Sequence, residues 1–162
     1  MPELPEVEFN RHELERLFID QVVTSVLLDT FDDIIMKDCI SASVLQSALQ
    51  SRTLRKVGRK GKLMYFAMEA TSSSSSGKAQ LKYVTWHMGM TGAMIIQGQP
   101  VPDYKAFKVD KSDTWPPRFT KIELVFSGGG HVAFCDPRRF GRMMVLDELG
   151  IQSALSNLAR DP

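Results

Sequence analysis

The sequence has few of the residues that form covalent or metal cross-links. Its 162 residues include two cysteines, Cys39 and Cys135, which stand far apart, and there is neither a CxxC pair nor a cysteine–histidine cluster with zinc spacing. Isolated cysteines of this kind are typical of buried thiols in an intracellular protein. We therefore expect no disulfide framework and no metal site. A single domain of this length buries a core without either.

Long apolar runs and a basic leader are also missing. The N-terminal residues are acidic, whereas a signal peptide begins with basic residues and an apolar run, so we expect no signal peptide. No apolar stretch is long enough to cross a bilayer, so we expect no membrane partner. We expect an intracellular location, and a nuclear one if the source is eukaryotic, which the serine-rich insertion TSSSSSGKAQ favours.

The formal net charge is only +1, but the charges are unevenly distributed. Acidic residues crowd the first twenty positions, and a second group of positive charges stands at positions 138–142. The first basic segment contains no acid and six cations, namely Arg52, Arg55, Lys56, Arg59, Lys60 and Lys62. Separated basic patches allow a nearly neutral protein to bind a polyanion, whereas either patch alone is more typical of a solvated surface.

Local patterns predict a mainly β fold with flanking helices (α+β). Residues 5–18 have helical spacing of apolar residues, residues 41–49 predict a short helix, and residues 149–162 are weakly helical. The remaining short, turn-bounded segments predict a two-layer antiparallel β-sandwich of about eight strands. The predicted strands are Gln21–Leu28, Ser51–Val57, Lys62–Met68, Leu81–Met88, Ala93–Gln97, Lys121–Phe126, His131–Phe134 and Gly141–Leu146.

The opening octapeptide MPELPEVE combines a proline amine with carboxylates. If Met1 is removed, Pro2 becomes a secondary amine that condenses with an aldehyde-level carbon to give a cationic iminium, which is an electron sink. Glu3 is a candidate acid beside it, and Glu6, one helical turn on, is placed to share or tune its proton. The same residues also suit the start of an ordinary helix, which glutamates stabilise through the macrodipole.

Three further motifs have both a functional and a structural interpretation. In GRKGKLMYF, Lys62 follows a glycine-bounded turn that predicts either a phosphate clamp or an exposed basic hairpin. In HMGMTG, His87 precedes Met90, which is either a wedge for a base stack or a core residue. In DPRRFG, Arg138 and Phe140 suit base contact and stacking, or else a core ring beside arginines paired with helix acids.

Taken together and in this order, these four motifs closely resemble the formamidopyrimidine-DNA glycosylase family, relatives of endonuclease VIII. Leucine at position 4 is more similar to the formamidopyrimidine branch. The resemblance implies an N-terminal catalytic β-sandwich domain over residues 1–152, whose first helix bears the catalytic terminus. Residues 153–162 would then begin the linker to a C-terminal helix–two-turn–helix domain.

The resemblance also implies a base-excision-repair enzyme that removes oxidised purines, such as 8-oxoguanine and formamidopyrimidines, and then acts as an AP lyase. Pro2 would attack C1′ and expel the damaged base, and Glu3, with Glu6 nearby, would protonate the opening sugar. Lys62 would assist the β- and δ-eliminations. The expected partner is double-stranded DNA with oxidised bases or abasic sites, and we expect a monomer.

The DNA contacts follow from the same resemblance, because the target nucleotide must be flipped out of the stack. Met90 would fill the gap, Arg138 would face the orphaned base, and Phe140 would insert beside it. His87 and Arg118 would contact phosphates.

The end of the chain departs from the family pattern, and two other classes of protein remain open. The family has a second domain, usually with a zinc finger, and this chain ends at Pro162, so we expect no cofactor here, weak DNA affinity and little or no activity alone. One alternative is a non-catalytic module that binds damaged DNA or abasic sites. The other is a plain β-sandwich with coincidental motifs, which predicts that Met90 and Phe140 are buried.

Overall fold

A computed structural model of the chain describes residues 4–28, 42–70, 81–87, 92–99, 115–117, 119–135 and 142–158. The helices of this part are α1 (Leu4–Phe18), α2 (Ala42–Leu49) and α3 (Glu148–Ser156). The strands are β1 (Val23–Leu28), β2 (Arg52–Lys60), β3 (Leu63–Ala70), β4 (Leu81–His87), β5 (Ala93–Ile96), β6 (Thr120–Phe126), β7 (His131–Cys135) and β8 (Arg142–Leu146).

The strands form two four-stranded antiparallel sheets, as the sequence predicted. One sheet has the order β1-β6-β7-β5 and the other the order β2-β3-β4-β8. Every pairing in both sheets is antiparallel. The expected α+β sandwich of about eight strands is therefore confirmed.

The core lies between the sheets and is built around large aromatic side chains. Trp86 of β4 is buried, and its ring centroid lies 5.2 Å from that of Phe66 and 6.0 Å from that of Phe134 on the opposite sheet. Leu45 and Leu49 of α2 are buried in the same cluster. Each such side chain contributes about 1.5–3 kcal/mol through burial, so the sheets are stabilised chiefly by apolar contact.

Helix α1 packs on this core through the apolar face that its spacing predicts. Val7, Leu14 and Phe18 are buried, and the Phe18 ring stacks on Phe126 of β6 with centroids 4.3 Å apart. Leu17 is partly buried against the same cluster. The helix is therefore fixed to the domain from Val7 to Phe18.

The bounds of several elements differ from the predicted ones, and two of these differences bear on the site. Strand β2 continues to Lys60, beyond the expected end at Val57, because it pairs with β3 up to the Lys60–Leu63 register. Helix α3 begins at Glu148, one residue before the predicted segment 149–162, and ends at Ser156. The Asp147 side chain caps it by accepting from the Gly150 amide at 2.7 Å. Among the described residues, no helix has both the length and the apolar character needed to span a membrane.

Candidate active site

The hairpin between β2 and β3 presents the predicted lysine. Gly61 and Lys62 form the turn between the paired residues Lys60 and Leu63. Gly61 has a φ of +58°, in the left-handed region that glycine occupies without a steric penalty. The glycine beside the lysine is thus explained by the turn, and Lys62 is partly exposed at its tip.

His87 lies beside this turn at the same end of the sheet. It is the last residue of β4, it is partly exposed, and it pairs with Leu63 on one side and Arg142 on the other. Neighbouring strands are about 4.8 Å apart, so these three backbone positions form one short row. The row brings together residues of two sequence motifs and Arg142, which directly follows the third motif, DPRRFG.

Two connections between the sheets have their ends next to each other, because the strand residues that flank them are paired. Segment 88–92 joins β4 to β5 and segment 136–141 joins β7 to β8. Their flanking residues pair at both ends, His87 with Arg142 and Ala93 with Cys135. The described residues on either side of these two connections are therefore paired with each other, and one pair, His87 with Arg142, lies in the row beside the Lys62 turn.

Helix α1 points its N-terminal end toward the same place. The helix runs antiparallel to β2: Asp20 contacts Leu54, Arg11 contacts Val57, and Glu8 contacts Arg59. At the standard helical rise per residue, the start of α1 at Leu4 lies about 6 Å beyond Glu8. At the standard strand rise, the Gly61–Lys62 turn lies about 7 Å beyond Arg59 in the same direction. The first turn of α1 is consequently level with the Gly61–Lys62 turn.

The predicted acid Glu6 lies in that first helical turn and is partly buried. The structure thus brings Glu6, Lys62 and His87 to one end of the molecule. The other predicted site residues lie outside the described part of the chain, namely Pro2, Glu3, Met90, Arg118, Arg138 and Phe140. Their roles stay predictions.

A network of charges joins α1 to β2 just behind this site. The Nε atoms of Arg11 and Arg59 both donate to the Glu8 carboxylate at 2.8 Å, and Arg11 Nη1 donates to Glu15 at 2.8 Å. Burial raises the pKa of the Glu8 carboxyl, but hydrogen bonds from Arg59 and Arg11 and their positive charges outweigh this, so its pKa is lowered. Glu8 is therefore held as an anion between two guanidinium groups.

Residues of the basic segment 52–62 have intramolecular partners that the sequence alone does not reveal. Arg55 bridges Asp20 and Glu69, and Arg52 donates to the Ser47 carbonyl. Lys60 Nζ donates at 2.5 Å to the Leu155 carbonyl in the last turn of α3, where a cation also complements the helix dipole. The spacing of Glu8, Arg11 and Glu15 on α1 is a sequence signal for ion pairs within the helix, but it does not indicate the contact of Glu8 with Arg59.

No group of three histidine, cysteine or carboxylate side chains suitable for a metal ion occurs within the described ranges. Cys135 is buried, and its Sγ atom lies 3.5 Å from Thr120 Oγ1.

A sequence profile of the formamidopyrimidine-DNA glycosylase N-terminal domain matches residues 1–143. The chain belongs to the formamidopyrimidine-DNA glycosylase family. It is 29% identical over 161 residues to a formamidopyrimidine-DNA glycosylase of Arabidopsis thaliana, with 99% of this chain and 38% of that protein covered. It is 30% identical over 141 residues to one of Geobacter metallireducens, with 87% and 42% covered. The chain thus spans less than half the length of these two relatives.

Solved structures of formamidopyrimidine-DNA glycosylases have the same fold. The structure of MutM in complex with DNA containing carbocyclic 8-oxo-G superposes with a TM-score of 0.68 at 20% identity, covering 96% of this chain and 49% of that chain. Lactococcus lactis Fpg in complex with DNA containing an abasic site gives a TM-score of 0.67 at 19% identity, covering 95% and 47%. These likenesses support the sandwich fold described above.

Proposed function

We propose that this chain supplies the catalytic domain of a base-excision-repair DNA glycosylase with AP-lyase activity. The expected partner is double-stranded DNA that contains an oxidised purine or an abasic site. The observation that carries the proposal is the convergence of the N-terminal end of α1, the Lys62 turn and His87 at one end of a domain that matches this family. The names of the relatives, and the lesion-containing DNA in the similar structures, support the same substrate class.

In the proposed reaction, removal of Met1 frees the Pro2 nitrogen. This amine forms a bond to C1′ while the C1′–base bond breaks. The base leaves with the bonding electrons and takes up one proton, and the Pro2 nitrogen loses its own proton to solvent. Glu3 donates a proton to the sugar ring oxygen, and an open-chain iminium results. The iminium acidifies the C2′ proton, whose loss expels the 3′ phosphate. A second elimination expels the 5′ phosphate, with Lys62 assisting these steps.

The remaining candidates would bind and open the duplex. Met90 would fill the space left by the flipped nucleotide, and Phe140 would stack beside the orphaned base that Arg138 faces. His87 and Arg118 would contact phosphates, so their replacement should weaken binding in a salt-dependent way. This division separates residues that act on the sugar from residues that hold the DNA.

Borohydride trapping tests the proposal, because borohydride reduces an iminium to a stable covalent adduct. The chain, with removal of Met1 verified by intact mass, is incubated at high concentration and low salt with an abasic-site duplex. We expect a covalent adduct to form, and to be absent when an N-terminal extension converts the Pro2 amine into an amide. In Lys62→Ala the adduct should still form, but more slowly. Binding of the duplex without any adduct would instead favour the non-catalytic damage-binding module.

A further inference from the structure

Arg59 lies where the candidate hairpin meets helix α1. Its Nε atom donates to Glu8 Oε2 at 2.8 Å, and its Nη1 atom donates to the Gly61 carbonyl oxygen at 3.1 Å. The Arg59 side chain is only 17% exposed. A single planar guanidinium therefore connects the helix to the backbone of the residue immediately before Lys62.

The helix side of this connection is itself held in place. Arg11 Nε donates to both carboxylate oxygens of Glu8, at 2.8 Å and 2.9 Å. Arg11 also donates to Glu15 and, at 3.3 Å, to the Val57 carbonyl of β2. Because Glu8 is fixed on two sides, it is a stationary acceptor for Arg59 rather than a mobile surface group.

We propose that Arg59 is a positioning residue: it holds the Lys62 turn at a fixed distance from the N-terminal end of α1. This inference rests on the proposed function, in which the Pro2 amine and Lys62 act on one sugar. The rate of a reaction between groups that an enzyme positions depends strongly on their separation, since a displacement of about 1 Å can reduce the rate about 100-fold. Arg59→Lys retains the charge but loses the fork that reaches Glu8 and Gly61 together.

The chain provides a matched control at the other end of the same helix and strand. Arg55 Nη1 donates to Asp20 at 2.7 Å and its Nε donates to Glu69 at 2.9 Å. This arginine also links β2 to residues flanking α1 and to a neighbouring strand, but far from the Lys62 turn. Arg55→Lys therefore reports the general effect of removing such a bridge, and thermal melts confirm that both variants fold.

The decisive measurement separates rate from affinity. The rate of borohydride-trapped adduct formation is determined at saturating abasic-site duplex, and the dissociation constant at several salt concentrations. We expect Arg59→Lys to lower the rate at saturation at least tenfold with affinity unchanged within twofold, and Arg55→Lys to change neither. Equal rates for the two variants would overturn the inference. A weaker, less salt-dependent affinity with an unchanged rate would overturn it too, because Arg59 would then be a phosphate ligand.

A second readout needs no DNA. Backbone NMR of the free chain should show shifted amide signals for Gly61 and Lys62 in Arg59→Lys but not in Arg55→Lys. Unchanged signals would overturn the positioning role whatever the trapping result. If the unmodified chain forms no adduct, the proposed function is overturned, and so is the role of Arg59 in that reaction. This failure is distinguishable from a failure of the positioning role, because the NMR comparison still reports whether Arg59 fixes the turn.

Discussion

Replacement of Gly58 by alanine should destabilise the domain, because this glycine lies beneath the ring of Tyr65. The two residues face each other in the β2–β3 register. A Cβ atom on Gly58 would lie 2.2 Å from Tyr65 Cζ and 2.3 Å from its hydroxyl oxygen, whereas ordinary contact begins at 3.4 Å. The Tyr65 ring would have to move by roughly an ångström or leave its site.

The net cost follows from two opposing terms. The Tyr65 ring belongs to the outer cluster that holds α3 on the sheet, together with Tyr83 and Ile151, so displacing it should cost about 1–3 kcal/mol. The backbone of Gly58 is not left-handed, so alanine can adopt its conformation. Alanine also reduces the conformational entropy of the unfolded chain, which by itself would stabilise the folded domain by about 0.4–1 kcal/mol. We expect a net loss of about 1–2 kcal/mol, or about 2–8 °C in Tm for a chain of this size.

A double-mutant cycle tests this reasoning. Urea and thermal unfolding are followed by circular dichroism for Gly58→Ala, Tyr65→Ala and the double variant. Once the ring is gone, the same glycine substitution should become neutral or slightly stabilising. An equal loss of stability in both backgrounds would refute the steric explanation, and so would the absence of any loss in the single variant.

Two further predictions concern buried polar groups on the outer faces of the sheets. Glu123 Oε2 accepts from Trp115 Nε1 at 2.6 Å and lies 2.8 Å from His131 Nδ1. Glu123→Ala should therefore lower the free energy of unfolding, measured in urea, by about 1–3 kcal/mol, and Glu123→Gln should lower it clearly less. Equal losses for the two variants would contradict this. Burial, followed by the hydrogen bond to Glu148, raises the pKa of Tyr83 to about 12, so the folded state resists its ionisation and stability should fall as pH rises from about 10 toward that value. Tyr83→Phe should flatten this alkaline loss, and an unchanged pH profile would argue against the assignment.

Local sequence patterns were sufficient to predict the elements. β-branched and aromatic segments bounded by glycine, proline or serine predicted the eight strands. The glycines around Arg59 and Lys60 predicted a tight turn at these two cations, but both belong to β2, and the turn is formed by Gly61 and Lys62. The helical face of Val7, Leu14 and Phe18 was predicted because helix packing follows the 3.6-residue period. These features depend on residues close together in the chain.

The pairing of the charged residues could not be predicted in the same way, because it depends on contacts between distant segments. Glu8 and Arg59 are 51 residues apart, and Lys60 and Leu155 are 95 apart. Sequence alone therefore left the basic segment with two interpretations, a polyanion-binding patch or a solvated surface. In the structure, Arg59 and Lys60 instead hold the hairpin between α1 and α3.

This arrangement has a consequence for how the candidate site is built. Neighbouring residues of a strand point to opposite faces of the sheet, so Arg59 reaches α1 on one face while Lys60 reaches the end of α3 on the other. The turn that bears Lys62 is consequently held from both sides by residues adjacent to it in sequence. His87 and Arg142 reach the same row only through the β3–β4 and β4–β8 registers. The candidate site thus exists only when this whole sheet is paired, and Arg59 and Lys60 contribute to its geometry through their contacts with α1, Gly61 and α3.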